Sequence, residues 1–289
     1  MKTDSTAPLG RSLWGIVTCI ELLLGSTACL AGERVSIASQ SPNPLYPNQP
    51  AGFVTLVDQA WDAIPPYPGT AAGGWWEGEF VVNATIVNDA TAPQSPPNVL
   101  ACHVPAGVAG GVATCVVNDA DFKRGGGGYF PKLYVSVWVK HSANWVPHPV
   151  GSKMLWFVHP DGLGPGYTDV YSTFEGSSMS VGVRQQNYGN QGLLANVGPA
   201  LYRDAVNFRG HWQQYEFLLT MNTGTSANGS FRMWVDRHLV CDYPNVRWMT
   251  TDSGQLWTGI RYDNVYGGIG GSSASQYEYI DHIYASGGN

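Results

Sequence analysis

Leu133-Tyr134-Val135-Ser136-Val137-Trp138-Val139-Lys140 alternates without a break between an aliphatic set, Leu133, Val135, Val137 and Val139, and a mixed set, Tyr134, Ser136, Trp138 and Lys140. Successive side chains of a strand point to opposite faces, so this period of two reads as a strand with one face in a core and different chemistry on the other. The design recurs twice. Phe231, Met233 and Val235 oppose Arg232, Trp234 and Asp236, and Met179, Val181 and Val183 oppose Ser180, Gly182 and Arg184.

Outward from these, Phe53–Val57, Phe80–Val87, Val99–His103, Lys153–His159, Trp212–Met221, Leu239–Asp242, Leu256–Tyr262 and Tyr277–Ala285 also read as strands. Pro65-Pro66, Pro96-Pro97, Gly125–Gly128, Asn222–Gly229 and Gly267–Gly271 supply the turns between them. No long stretch carries the stripe of an amphipathic helix. About a dozen strands with almost no helix predict an all-β fold, a two-sheet antiparallel jelly-roll β-sandwich. After Val235 the chain runs Asp236-Arg237-His238 with no glycine, which predicts a longer or differently shaped turn than the tight two-residue hairpin.

The chain of 289 residues begins with Lys2 and Arg11 ahead of an apolar run from Leu13 to Leu24, then small residues at Gly25, Ser26, Thr27, Ala28 and Ala31. That is the layout of a secretory signal peptide, despite Glu21 within the run, and it predicts a secreted or extracytoplasmic protein with no membrane span in the mature chain. The run is short for a span of roughly 20 residues. Ser26-Thr27-Ala28-Cys29 also admits lipid anchoring at Cys29, although Ser26 stands where such sites carry Leu. The predicted organisation is a signal at 1–31, an extended Pro-, Asn- and Ser-rich lead-in at 32–51, and one sandwich domain over 52–289.

Loss of Lys2, Arg11, Asp4 and Glu21 with the signal leaves the charge at −6, which argues against nucleic acid as a partner. Cys19 and Cys29 leave as well. Of the remaining cysteines, Cys102 and Cys115 flank a Gly-rich stretch between β-type runs and are predicted to form a disulfide, leaving Cys241 as a buried thiol. Closing a loop of that size contributes about 3 kcal/mol in the chain-entropy account.

The C-terminal part reads His211-Trp212-Gln213-Gln214-Tyr215-Glu216, then Met233-Trp234-Val235-Asp236, Tyr266-Gly267-Gly268 and Tyr279-Ile280-Asp281-His282, with Ser142-Ala143-Asn144-Trp145 upstream. In this order the phrases resemble concanavalin A-like and laminin-G-like jelly rolls, and are similar to bacterial polysaccharide lyases of the alginate and glucuronan lyase kind and to related exported proteins. They are strand and turn phrases, so they imply architecture before chemistry. Polysaccharide is the partner the resemblance implies.

Inner faces of a sandwich make its core, so an outer face that is both aromatic and polar suits an extended glycan. Tyr134, Arg184 and Gln186 are the candidate catalytic residues, and Trp138, Lys140, Arg232 and Trp234 the candidate substrate-binding ones. For a lyase, Arg184 or Gln186 would neutralise a uronate carboxylate while Tyr134 moves the protons of a β-elimination. The rival reading is a non-catalytic carbohydrate-binding or surface sandwich with the same fold. A retaining glycosidase needs carboxylates about 5 to 5.5 Å apart, and Glu77 and Glu79 lie among glycines. Glu278 and Asp281, three apart, face opposite ways on a regular strand. The histidines lack metal spacing, and no cofactor is implied. Asp281 suits either a structural calcium or hydrogen bonds to nearby backbone amides.

Overall fold

The computed structural model describes residues 43–64, 77–80, 83–108, 112–122, 127–149, 151–161, 164–175, 178–186, 208–249, 256–267 and 270–289. The predicted signal and most of the lead-in lie outside the described residues.

Described strands are β1 (Val54–Ala60), β2 (Glu77–Phe80), β3 (Ala84–Asn88), β4 (Asn98–Val104), β5 (Val112–Asp121), β6 (Lys132–His141), β7 (Ser152–Asp161), β8 (Gly164–Glu175), β9 (Ser178–Gln186), β10 (Trp212–Thr220), β11 (Gly229–Val235), β12 (His238–Val246), β13 (Gly259–Tyr266) and β14 (Gln276–Gly288). No α-helix occurs among the described residues. Two antiparallel sheets result. The first runs β12-β11-β10-β6-β14-β4-β3, with β1 also beside β14, and the second runs β2-β5-β13-β7-β8-β9. β14 is long enough to pair β4 along its first half and β1 along its second.

The decisive alternation places Leu133, Val135, Val137 and Val139 at 0 to 1% exposure. They meet the inner side of the second sheet, where Leu155, Phe157, Ile260 and Tyr262 are fully buried. Phe157 meets Phe217 edge-on at 5.2 Å across the core, an arrangement that adds about 0.5–1.5 kcal/mol to simple area burial. The Cys102–Cys115 disulfide is present and joins β4 of one sheet to β5 of the other. Cys241 is the buried free thiol, and burial pushes its pKa up to about 12.

Two expectations change. β11 and β12 are joined by the two residues Asp236 and Arg237, with φ of 48° and 70°, the conformation of the tight hairpin. Tertiary contacts hold it without a glycine. Asp236 N–H donates to Gln214 O at 2.8 Å, Asp236 Oδ1 accepts from Gln214 N–H at 2.9 Å, and Arg237 Nη2 donates to Pro44 O at 3.3 Å. Ordered packing also starts upstream of Gly52, because residues 43–49 form a turn-rich strap across the outer face of the first sheet.

Candidate functional site

Tyr134, Trp138, Lys140, Arg232 and Trp234 share the outer face of the first sheet, as their strand parity predicts. Register places Trp138 opposite Gln214, Glu216 opposite Trp234, and Leu218 between Tyr134 and Arg232. The centre of that face is closed. Tyr46 of the strap stacks on Tyr284 with centroids 3.8 Å apart and meets Tyr134 edge-on at 6.4 Å. Tyr134 is 0% exposed, and its hydroxyl donates to Glu216, also 0% exposed. Asn48 Nδ2 donates to the other oxygen of Glu216 at 2.9 Å, and Gln214 Nε2 reaches Leu45 O at 2.8 Å. Burial and then the neighbouring Glu216 carboxylate raise the Tyr134 pKa, so the phenol keeps its proton. Arg232 pairs with Asp242 at 3.2 Å, both about half exposed, a geometry worth little in water.

Beside the strap the same face opens into a cleft of about 670 Å³. Ala101 lies between Tyr279 and Thr85 in register, so a small side chain on β4 leaves a trough between larger ones on β14 and β3. His103, Tyr277 and Tyr279 form a stack with centroids 4.6 and 5.8 Å apart. Lys140 Nζ sits 5.1 Å above the Tyr279 ring and 4.9 Å from that of Trp212, and it is paired with Asp89. Burial opposes ionisation of Asp89, but hydrogen bonds from Lys140 and Thr91 outweigh it and hold the carboxyl down to about 2. Burial, with Tyr277 and Asp89 nearby, raises the Tyr279 pKa.

Arg184 and Gln186 are on β9, in the second sheet, so the structure sets them apart from Tyr134. Their side chains lie outside the described residues, but the register is clear. Arg261, Trp156, Asp169 and Arg184 make one cross-strand row, and Val158, Tyr167 and Gln186 a second. These rows alternate with the buried row containing Ile260 and Phe157, and so have the parity of the face away from the core.

Two polar clusters escaped the sequence reading. Between the sheets, Glu278 accepts from Tyr262 Oη and, at 3.0 Å, from Asn264 Nδ2. His141 Nε2 lies 2.9 Å from the other Glu278 oxygen without hydrogen-bond alignment. This enclosed set is a structural network. A bulge between Ile280 and Ile283 turns Asp281 and His282 outward. Ser95 Oγ lies 3.0 Å from His282 Nδ1, whose Nε2 is 2.6 Å from Asp58. The chain Ser-His-Asp invites a nucleophile reading, but Asp281 takes Ser95 Oγ at 2.8 Å and the backbone N–H groups of Gln94 and Ser95 at 2.5 and 2.9 Å. Those amides, the natural donors to an oxyanion, are already used. Asp281 therefore anchors the β3–β4 loop through backbone amides, and no group of three His, Cys, Asp or Glu suited to a metal occurs among the described residues.

No family model matches the chain, and no curated protein matches it. Solved structures do. A double mutant of alginate lyase Aly36B in complex with alginate trisaccharide has a TM-score of 0.62 at 14% identity, over 81% of this chain and 98% of that one. The marine PL-14 alginate lyase from Aplysia kurodai has 0.57 at 11%, over 80% and 98%. Alginate lyase vAL-1 from Chlorella virus has 0.53 at 12%, over 81% and 100%. At these identities the likeness is one of fold. Among the described residues no helix is long and apolar enough to cross a membrane.

Proposed function

We propose that this chain, which has the concanavalin A-like jelly-roll fold, is an exported lyase that cleaves a uronate-containing polysaccharide on the outer face of its second sheet. The observation that carries the reading is the pair of neighbouring cross-strand rows on the parity away from the core, one with Arg261 and Arg184 and one with Tyr167 and Gln186. Alginate lyases on the same scaffold, one in complex with an alginate trisaccharide, support the substrate class. Export is supported by the signal-like N-terminus and by a disulfide, a bond that persists mainly in oxidising compartments.

In the elimination a base removes the C5 proton, the C4=C5 double bond forms as the C4–O4 bond breaks, and an acid returns a proton to the leaving O4. Negative charge building at C5 spreads into the carboxylate, so a cation or amide must neutralise that group. Arg184 and Gln186 have the right chemistry for it. Because Tyr134 is buried against Glu216 on the other sheet, Tyr167 takes the proton-moving role.

The test is incubation with alginate, glucuronan, pectate and heparin while following absorbance of the unsaturated product. Arg184→Ala and Tyr167→Phe should each lower kcat by about a hundredfold or more with the melting temperature unchanged. A flat trace with all four polymers overturns the lyase reading in favour of a carbohydrate-binding sandwich, since binding creates no double bond.

A further inference from the structure

The cleft on the first sheet is on the opposite side of the core from the rows just described, and its chemistry differs. Its polar end is a closed pair. The Lys140 ammonium already has the Asp89 carboxylate and lies close to the rings of Trp212 and Tyr279, and the two side chains are 17% and 14% exposed. A second carboxylate brought there would meet Asp89 at close range while finding the lysine already neutralised. A hydroxyl pair meets no such conflict, because one hydroxyl can donate to Asp89 while its neighbour accepts from Lys140. Vicinal hydroxyls of an uncharged pyranose supply such a donor and acceptor on adjacent carbons.

The rest of the cleft fits a sugar ring. Ala101 makes a low floor. Tyr277 and Tyr279, stacked on each other and on His103, form a wall whose rings are already ordered, so little side-chain entropy is lost on binding. A volume of about 670 Å³ falls in the ordinary range of ligand clefts.

We propose that this cleft is a second carbohydrate site, one that takes neutral pyranose units and is separate from the uronate-cleaving face. It would hold the protein on a neutral polymer while the other sheet works on an acidic one. This goes beyond the proposed function and stands without it.

The experiment is affinity electrophoresis of the full-length mature protein in native gels cast with glucomannan, hydroxyethylcellulose or alginate. The wild-type protein should be retarded by at least one neutral polymer. Tyr279→Ala should weaken that binding about three- to tenfold, the range for losing one aromatic contact. Ala101 is only 1% exposed, so Ala101→Leu crowds the floor at some cost in melting temperature and should abolish the retardation while the protein remains folded. Arg184→Ala should leave neutral-polymer binding intact, which separates this test from that of the lyase reading. Wild-type migration unaffected by both neutral polymers overturns the proposal. So does retardation confined to alginate and lost in Ala101→Leu, which would make the cleft a uronate site.

Discussion

Asn48→Ala tests whether the strap is part of the folded unit. Glu216 is fully buried, and its carboxylate is held by neutral donors, the Tyr134 hydroxyl and both the backbone and side-chain nitrogens of Asn48. Alanine keeps the backbone N–H at 3.3 Å and removes the side-chain bond at 2.9 Å. A hydrogen bond to a charged group contributes about 1.5–3 kcal/mol. For a chain of this size each kcal/mol moves the melting temperature by about 2–4 °C, so a fall of about 3–12 °C is expected. Urea unfolding of Asn48→Ala, Glu216→Gln and the double variant forms a double-mutant cycle, and its coupling energy should be about 1.5 kcal/mol or more, because the bonds from Tyr134 and the Asn48 backbone that Glu216→Gln also alters are present in both backgrounds and cancel. Coupling below about 0.5 kcal/mol, the level of error for independent sites, would refute the claim that the strap holds this carboxylate. It would mean water reaches Glu216 as readily as Asn48 does.

Other outcomes follow from single features. Cys102→Ala/Cys115→Ala should lose about 3 kcal/mol in urea unfolding, and an unchanged midpoint would show that the sheets need no covalent link. Arg237→Gly relieves a side chain held at φ of 70° and should stabilise by up to about 1 kcal/mol; a loss would show that its bond to Pro44 O outweighs the backbone relief. Asp89 has its pKa lowered from 3.8 to about 2, so the stability it contributes is complete above pH 4 and lost as pH falls towards 2. Thermal melts across that window should slope less steeply for Asp89→Asn than for wild type, and equal slopes would exclude the Lys140 pairing as their source.

Much of the first sheet was legible because its strands keep one aliphatic face. β6 and β11 alternate cleanly, and the set Leu133, Val135, Val137, Val139, Phe231, Met233 and Val235 is at zero or near-zero exposure, while Tyr134 and Ser136 on the other face of β6 are buried as well. β8 is not legible in the sequence, and β5 only as a β-type run at Cys115 without bounds. Register shifts interrupt the pairing of β5, and β8 opens with Gly164-Pro165-Gly166 and carries polar residues at both parities, so neither offers a regular period of two. β14 was seen as a strand, but the bulge that turns Asp281 and His282 outward depends on its neighbours.

Tyr134 lies on the side of β6 opposite Leu133, Val135, Val137 and Val139, as alternation along the strand implies. Sheet membership was not readable. The alternation of a strand is a property of consecutive residues, whereas the sheet it joins depends on partners far away in sequence, such as β10 and β14 for β6. The strap shows the same division. Residues 43–49 have no periodicity to read, and their order comes from contacts like that of Asn48 with Glu216, 168 residues away. Sequence alone determined the β architecture, the core faces and the cysteine pair, because these follow from local alternation and composition. Only the tertiary structure decided that the candidate residues divide between two sheets, that the outer face of the first is partly roofed by the chain itself, and that a separate cleft remains beside the roof.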